Sequence, residues 1–65
     1  MARLLIRERR WDQGLTAEQL GQLVGLSEST IIRIENGQRD PKFQQLVQIA
    51  KILECKLSDL YTEDD

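Results

Sequence analysis

Ala17-Glu18-Gln19-Leu20-Gly21-Gln22-Leu23-Val24-Gly25-Leu26-Ser27-Glu28-Ser29-Thr30-Ile31-Ile32-Arg33-Ile34-Glu35-Asn36 is the stretch that decides the fold. Its apolar residues Leu20, Val24, Leu26, Ile31 and Ile34 lie on both sides of Gly25, at the spacing of two short helices. Thr16 with Gln19 three residues on is a capping-box arrangement and starts one helix, about Ala17 to Val24. Ser27 caps the next, with Thr30 at its third position, and that helix runs to about Asn36. Two short helices packed at a steep angle touch closely at one point, where a large side chain has no room; Gly21 fits that point. Gly25 supplies the positive φ that so tight a turn requires. The apolar five join the pair to the rest of the chain. The second helix of the pair keeps a polar outer face of Glu28, Ser29, Thr30 and Arg33.

Outward from this core, Gly37 ends the third helix and Gln38-Arg39-Asp40 forms a polar loop before Pro41. A fourth helix is expected from about Phe43 to Cys55, because Phe43, Leu46, Val47, Ile49, Ala50 and Leu53 recur on one helical face. A short fifth helix, about Ser58 to Tyr61, closes the chain. Upstream, the charged run Arg3 to Gln13 reads as the first helix, ended by Gly14. No segment alternates with period two over a useful length, so strands are not expected. The reading is one all-α domain over residues 1–65, without repeats or low-complexity stretches and with residues 62–65 as a disordered acidic tail.

Composition narrows the chemistry. The chain has 65 residues, 40% hydrophobic and 31% charged, which suits one small core under a well-solvated surface. It has no His and a single Cys, Cys55, so a Cys/His zinc site within one chain and a Ser-His or Cys-His nucleophile pair are excluded. One Cys makes no intrachain disulfide, which fits a reducing cytosol. The opening Met1-Ala2-Arg3-Leu4-Leu5-Ile6 is too short an apolar run for a signal peptide or membrane span, so a cytoplasmic protein without a membrane partner is expected. No metal, cofactor or small-molecule ligand is expected. Glu18, Glu28 and Glu35 lie on helices without a Gly-rich phosphate loop, and a domain this small offers little room for a deep pocket, so an enzyme is the weakest reading.

The net charge is −2, unusual for a protein that meets nucleic acid. Three of the eleven acids are Glu63, Asp64 and Asp65, and without them the chain stands at +1. Four of the nine basic residues, Arg3, Arg7, Arg9 and Arg10, fall within the first ten positions. Local potential rather than the total steers binding. Arg3, Arg7 and Arg9 read first as a solvated helix face. Trp11 reads as core or as a lid over it, since a stacking surface for single strands would need several aromatics.

Gly14-Leu15-Thr16, Leu20-Gly21, Val24-Gly25-Leu26-Ser27, Ile31, Arg33-Ile34-Glu35-Asn36-Gly37, Pro41 and Ile49-Ala50-Lys51 together resemble the Cro/cI-type helix-turn-helix family of phage and bacterial regulators. The resemblance runs from about Ile6 to Tyr61. It implies a compact five-helix, lambda-repressor-like domain with the helix-turn-helix at helices 2 and 3. It also implies sequence-specific binding of double-stranded DNA, usually as a homodimer, and control of transcription. Glu28, Ser29, Ile32 and Arg33 match positions at which the family reads base edges. Arg33 suits O6 and N7 of guanine, and Ile32, where a polar residue is common, suits a thymine methyl. Glu28 has two readings, an acceptor for cytosine N4 and a first-turn acid favoured by the helix dipole. Ser27, Thr30, Asn36, Arg39 and Lys42 match regions that meet the DNA backbone.

Arg10 and Glu35 match a pair that forms a buried salt bridge between the first and third helices. Cys55, Leu57, Leu60 and Tyr61 are expected to close the core and to form a dimer patch. Ala17 stands where the family often has a phosphate-contacting Gln, and Lys42 where a Ser or Thr cap is usual. Ala17, Glu28, Ile32 and the negative net charge favour an alternative: a protein-interaction module of the same fold, antitoxin-like or antirepressor-like.

Overall fold

The computed structural model describes residues 2–63. Four α-helices carry the core: α1 Ile6–Asp12, α2 Ala17–Val24, α3 Glu28–Glu35 and α4 Phe43–Ile52. A single 3-10 turn, Leu57–Leu60, follows. Two three-residue strands close the molecule, β1 Ala2–Leu4 and β2 Tyr61–Glu63. They pair antiparallel, with Ala2 opposite Glu63, Arg3 opposite Thr62 and Leu4 opposite Tyr61.

The interior is one cluster. Ile6, Leu20, Ile31, Ile34, Ile49, Leu53 and Leu60 are fully buried: one or two from each helix, Leu53 just after α4 and Leu60 from the 3-10 turn. Burying a side chain of this size contributes about 1.5–3 kcal/mol. Ala17, Leu46 and Ala50 complete the cluster, and Leu4, Leu15, Val24, Leu26, Ile52, Cys55 and Leu57 pack around it. α2 lies at the centre, against both α3 and α4.

The ends of the chain differ from the sequence-based expectation. The first helix does not begin at Arg3: Ala2–Leu4 is a strand, and the Leu5 N–H donates to the Leu60 carbonyl at 2.7 Å, which takes the chain out of helical pairing. The fourth helix stops at Ile52, because Glu54 enters the left-handed region at φ 55° and the Cys55 N–H turns back to the Ala50 carbonyl. The expected fifth helix is only the 3-10 turn, so α-helices number four rather than five. The strand β2 includes Thr62 and Glu63, so those two are paired rather than a disordered tail, while Asp64 and Asp65 lie outside the described residues. Trp11 is neither core nor lid: it is 63% exposed at the end of α1. Phe43 is 68% exposed, since it opens α4 ahead of the turn that meets the core.

Candidate nucleic-acid interface

The geometry of the α2–α3 pair is set by local chemistry. A Cβ built at Gly21 would lie 2.4 Å from the Leu26 carbonyl oxygen, so only glycine lets the backbones approach this closely. The Leu26 N–H donates to the Gly21 carbonyl at 2.8 Å, and Gly25 sits at φ 75° between the helices. At the start of α2, Thr16 Oγ1 accepts from the Gln19 N–H at 3.0 Å, and Gln19 Oε1 accepts from the Thr16 N–H at 2.9 Å. Ala17 is buried beside them and has no surface for a ligand.

At the start of α3, Ser27 Oγ accepts from the Thr30 N–H at 3.2 Å and lies 2.8 Å from Thr30 Oγ1 and 3.3 Å from Ser29 Oγ. These contacts hold the first turn of α3 in place. Ile31 and Ile34 point into the core at 1% exposure. Glu28, Ser29, Ile32 and Arg33 are all exposed, Ile32 at 39%. Among the described residues, the Glu28 carboxylate and the Arg33 guanidinium make no hydrogen bond or ion pair. A helix with one face in the core and an exposed, side-chain-bearing face outside has the width to enter a major groove.

Flanking groups continue this surface. Asn36 caps α3 and is exposed, as are Arg39 and Lys42 beyond it; Ser27 is exposed and Thr30 half-buried. Lys42 occupies the N-cap of α4, but an ammonium has no lone pair with which to cap. Gln45 supplies half of the function instead, its Oε1 accepting from the Lys42 N–H at 2.9 Å.

Behind α3 lies an ion cluster. Arg10, only 8% exposed, donates from Nε to Glu35 Oε2 at 2.8 Å, from Nη2 to Glu35 Oε1 at 3.1 Å and from Nη1 to the Leu15 carbonyl at 3.0 Å. The Glu35 side chain is 1% exposed. A buried pair in which all three guanidinium nitrogens of Arg10 donate ties α1 to the end of α3 and fixes how far the recognition face projects. Arg7 joins the cluster: its Nε donates to Glu35 Oε1 at 3.4 Å and its Nη2 to Asn36 Oδ1. Reading Arg7 as part of a solvated face missed this contact. The available signal was its three-residue spacing from Arg10, which places both guanidiniums on one side of α1.

The four residues expected at a dimer patch separate. Leu60 is fully inside its own core and has no surface to offer a second copy. Cys55 and Leu57 are half-buried against that core, and Tyr61 is 42% exposed. Burial pushes the Cys55 thiol above its ordinary pKa; Arg9 pulls the other way, and Asp59 adds to the rise. Among the described residues no three His, Cys, Asp or Glu side chains gather as metal ligands, and no helix is long and apolar enough to cross a membrane.

The sequence profile of the family described as "Helix-turn-helix" matches residues 6–60, which holds all four helices and the 3-10 turn. The chain belongs to the Cro/cI-type helix-turn-helix family. A family relative in Archaeoglobus fulgidus, an uncharacterized HTH-type transcriptional regulator, is 35% identical over 63 residues, 97% of this chain and 90% of the relative. The P22 c2 repressor, solved in complex with a synthetic operator, superposes with a TM-score of 0.80 at 30% identity, covering 91% of this chain and 89% of the repressor. The fold also occurs inside an enzyme. The hydroxypropylphosphonic acid epoxidase of S. wedmorenis superposes with a TM-score of 0.82 at 27% identity, but the match spans 89% of this chain and only 31% of the epoxidase. Family membership therefore fixes the scaffold, and function has to be argued from the exposed face of α3.

Proposed function

We propose that this protein is a sequence-specific regulator of transcription that binds double-stranded DNA through α3 and acts as a repressor. The observation that carries the reading is the division of α3 into a buried Ile31/Ile34 face and an exposed Glu28/Ser29/Ile32/Arg33 face. In the major groove Arg33 donates to guanine O6 and N7, Ile32 packs on a thymine methyl and Ser29 bonds a base or phosphate. Glu28 accepts from cytosine N4, a base-edge donor that offsets its repulsion by phosphates. Ser27, Thr30, Asn36, Arg39 and Lys42 hold the backbone on either side.

The active form is a homodimer that places two α3 helices in successive major grooves, about 34 Å apart on a pseudo-palindromic site. Cys55, Leu57 and Tyr61, without Leu60, remain as the surface for the second copy. Repression follows from occupying a promoter, the simplest mechanism for a domain of this size. The likeness to the P22 c2 repressor supports this reading. Nothing in the site calls for catalysis.

A second reading, a protein-interaction module, is favoured by Glu28 and by the buried Ala17, which leaves the start of α2 without a phosphate contact. Selection from a random duplex pool at moderate salt separates the two. An enriched inverted repeat with half-sites about one helical turn apart is expected. Folded protein that enriches no sequence would favour the interaction module.

A further inference from the structure

We propose that Arg7 is a positioning residue for DNA: it orients the Asn36 side chain so that its amide donors, rather than its oxygen, face the phosphate backbone. This rests on the DNA-binding reading above and extends it to a residue outside the recognition helix.

The argument begins with what each group can do. A guanidinium donates and never accepts, so the Asn36 atom that meets Arg7 Nη2 is the amide oxygen Oδ1. The orientation of the amide is thereby fixed by chemistry. Its two Nδ2 protons are left on an exposed side chain, and among the described residues they have no acceptor. Phosphate oxygens accept and never donate. An Asn36 held in this orientation is complementary to phosphate before the DNA arrives, whereas the flipped amide would present oxygen to oxygen.

The anchor for Arg7 is equally specific. Its Nε is held by Glu35 Oε1, and that carboxylate is itself held by Arg10 through both oxygens. Arg7 thus bridges a rigid buried group and a surface amide. Its own side chain is 39% exposed, so its charge is also felt at the surface. Two guanidiniums against one carboxylate leave the cluster at +1, next to the C-terminal end of α3, where the helix dipole favours positive charge.

The experiment uses a duplex carrying the selected site and measures Kd across a salt series for the wild type, Arg7→Lys, Asn36→Ala and the double variant. Lysine keeps the positive charge but not the planar fork that reaches Glu35 and Asn36 together. Arg7→Lys is expected to weaken binding by about tenfold with an unchanged slope of log Kd against log salt, as one lost hydrogen bond to a charged group would. Asn36→Ala is expected to do the same, and the double variant to lose no more than either alone. Arg7→Lys binding like the wild type, or losses that add, would overturn the proposal while leaving DNA binding intact. Thermal melts establish that each variant is folded. NMR of the Asn36 side-chain amide in the free protein decides the positioning even if the wild type binds no duplex and the regulator reading fails. Shifts distinct from free asparagine that collapse in Arg7→Lys support the proposal, and an unmoved amide pair overturns it.

Discussion

The two ends of this molecule are built by different means. The α2–α3 pair is held by contacts local in sequence: Thr16 with Gln19, Ser27 with Thr30, and Gly21 against Leu26. The opposite end is held by contacts between the first and last residues of the fold. β1 pairs with β2, Leu5 donates to the Leu60 carbonyl, and Arg9 Nε donates to the Asp59 carbonyl at 3.4 Å. A helix pair fixed by its own caps and glycines has its internal geometry set locally, and Arg10 with Glu35 then ties it to α1. That is what a recognition surface requires, because base contacts need fixed positions. The termini close the core and are free to differ.

Among the described residues the Arg10–Glu35 pair is the shortest ion pair between α1 and the recognition helix, so its loss should have the largest effect. Arg10→Met leaves a carboxylate with 1% exposure facing only Arg7. The expected cost is about 3–5 kcal/mol, a fall in Tm of more than about 10 °C for a domain of this size. A melting temperature near that of the wild type would mean that α3 does not depend on this tie.

Gly21→Ala comes next. An alanine in an ordinary helix interior would gain about 1 kcal/mol over glycine. Here its Cβ meets a backbone oxygen that cannot step aside, and a net loss of about 1–3 kcal/mol is expected in urea titration. A stabilised Gly21→Ala would show that the α2–α3 crossing is looser than described.

The smallest effect belongs to the other end. Glu54 closes α4 in the left-handed region, where α2 uses Gly25. Glu54→Gly should raise stability by about 0.5–1 kcal/mol, because it removes a Cβ clash at positive φ but loosens the unfolded chain. A loss of stability would show that the Glu54 side chain has a role in holding this end.

The same division explains what could be read from the amino-acid sequence. α2 was expected at Ala17 to Val24 and is found there, and α3 ends within one residue of its expected limit, because caps and glycines are short-range signals. The three-residue strands had no such signal. Their stability comes from each other, across almost the full length of the chain, and three residues are too few to show an alternating pattern. The end of α4 was overrun because Glu54, which carries no turn signature, does what a glycine usually does. Phe43 and Trp11 looked like core by composition and are exposed, since periodicity gives a face but not which turn of it meets the interior. Within the candidate interface, Glu28, Ser29 and Arg33 were legible as an outer face, whereas Thr30, expected with them, is half-buried, and Ile32 entered only through the family resemblance. The Arg7–Asn36 contact was not, because it joins two helices 29 residues apart.

The central claim is that the exposed face of α3 reads DNA, and Arg33 tests it most directly. On a selected duplex at fixed moderate salt, Arg33→Ala should weaken specific binding by about 1–3 kcal/mol and relax the preference at the base pair Arg33 faces. Folded Arg33→Ala protein with wild-type affinity and wild-type sequence preference would contradict the account.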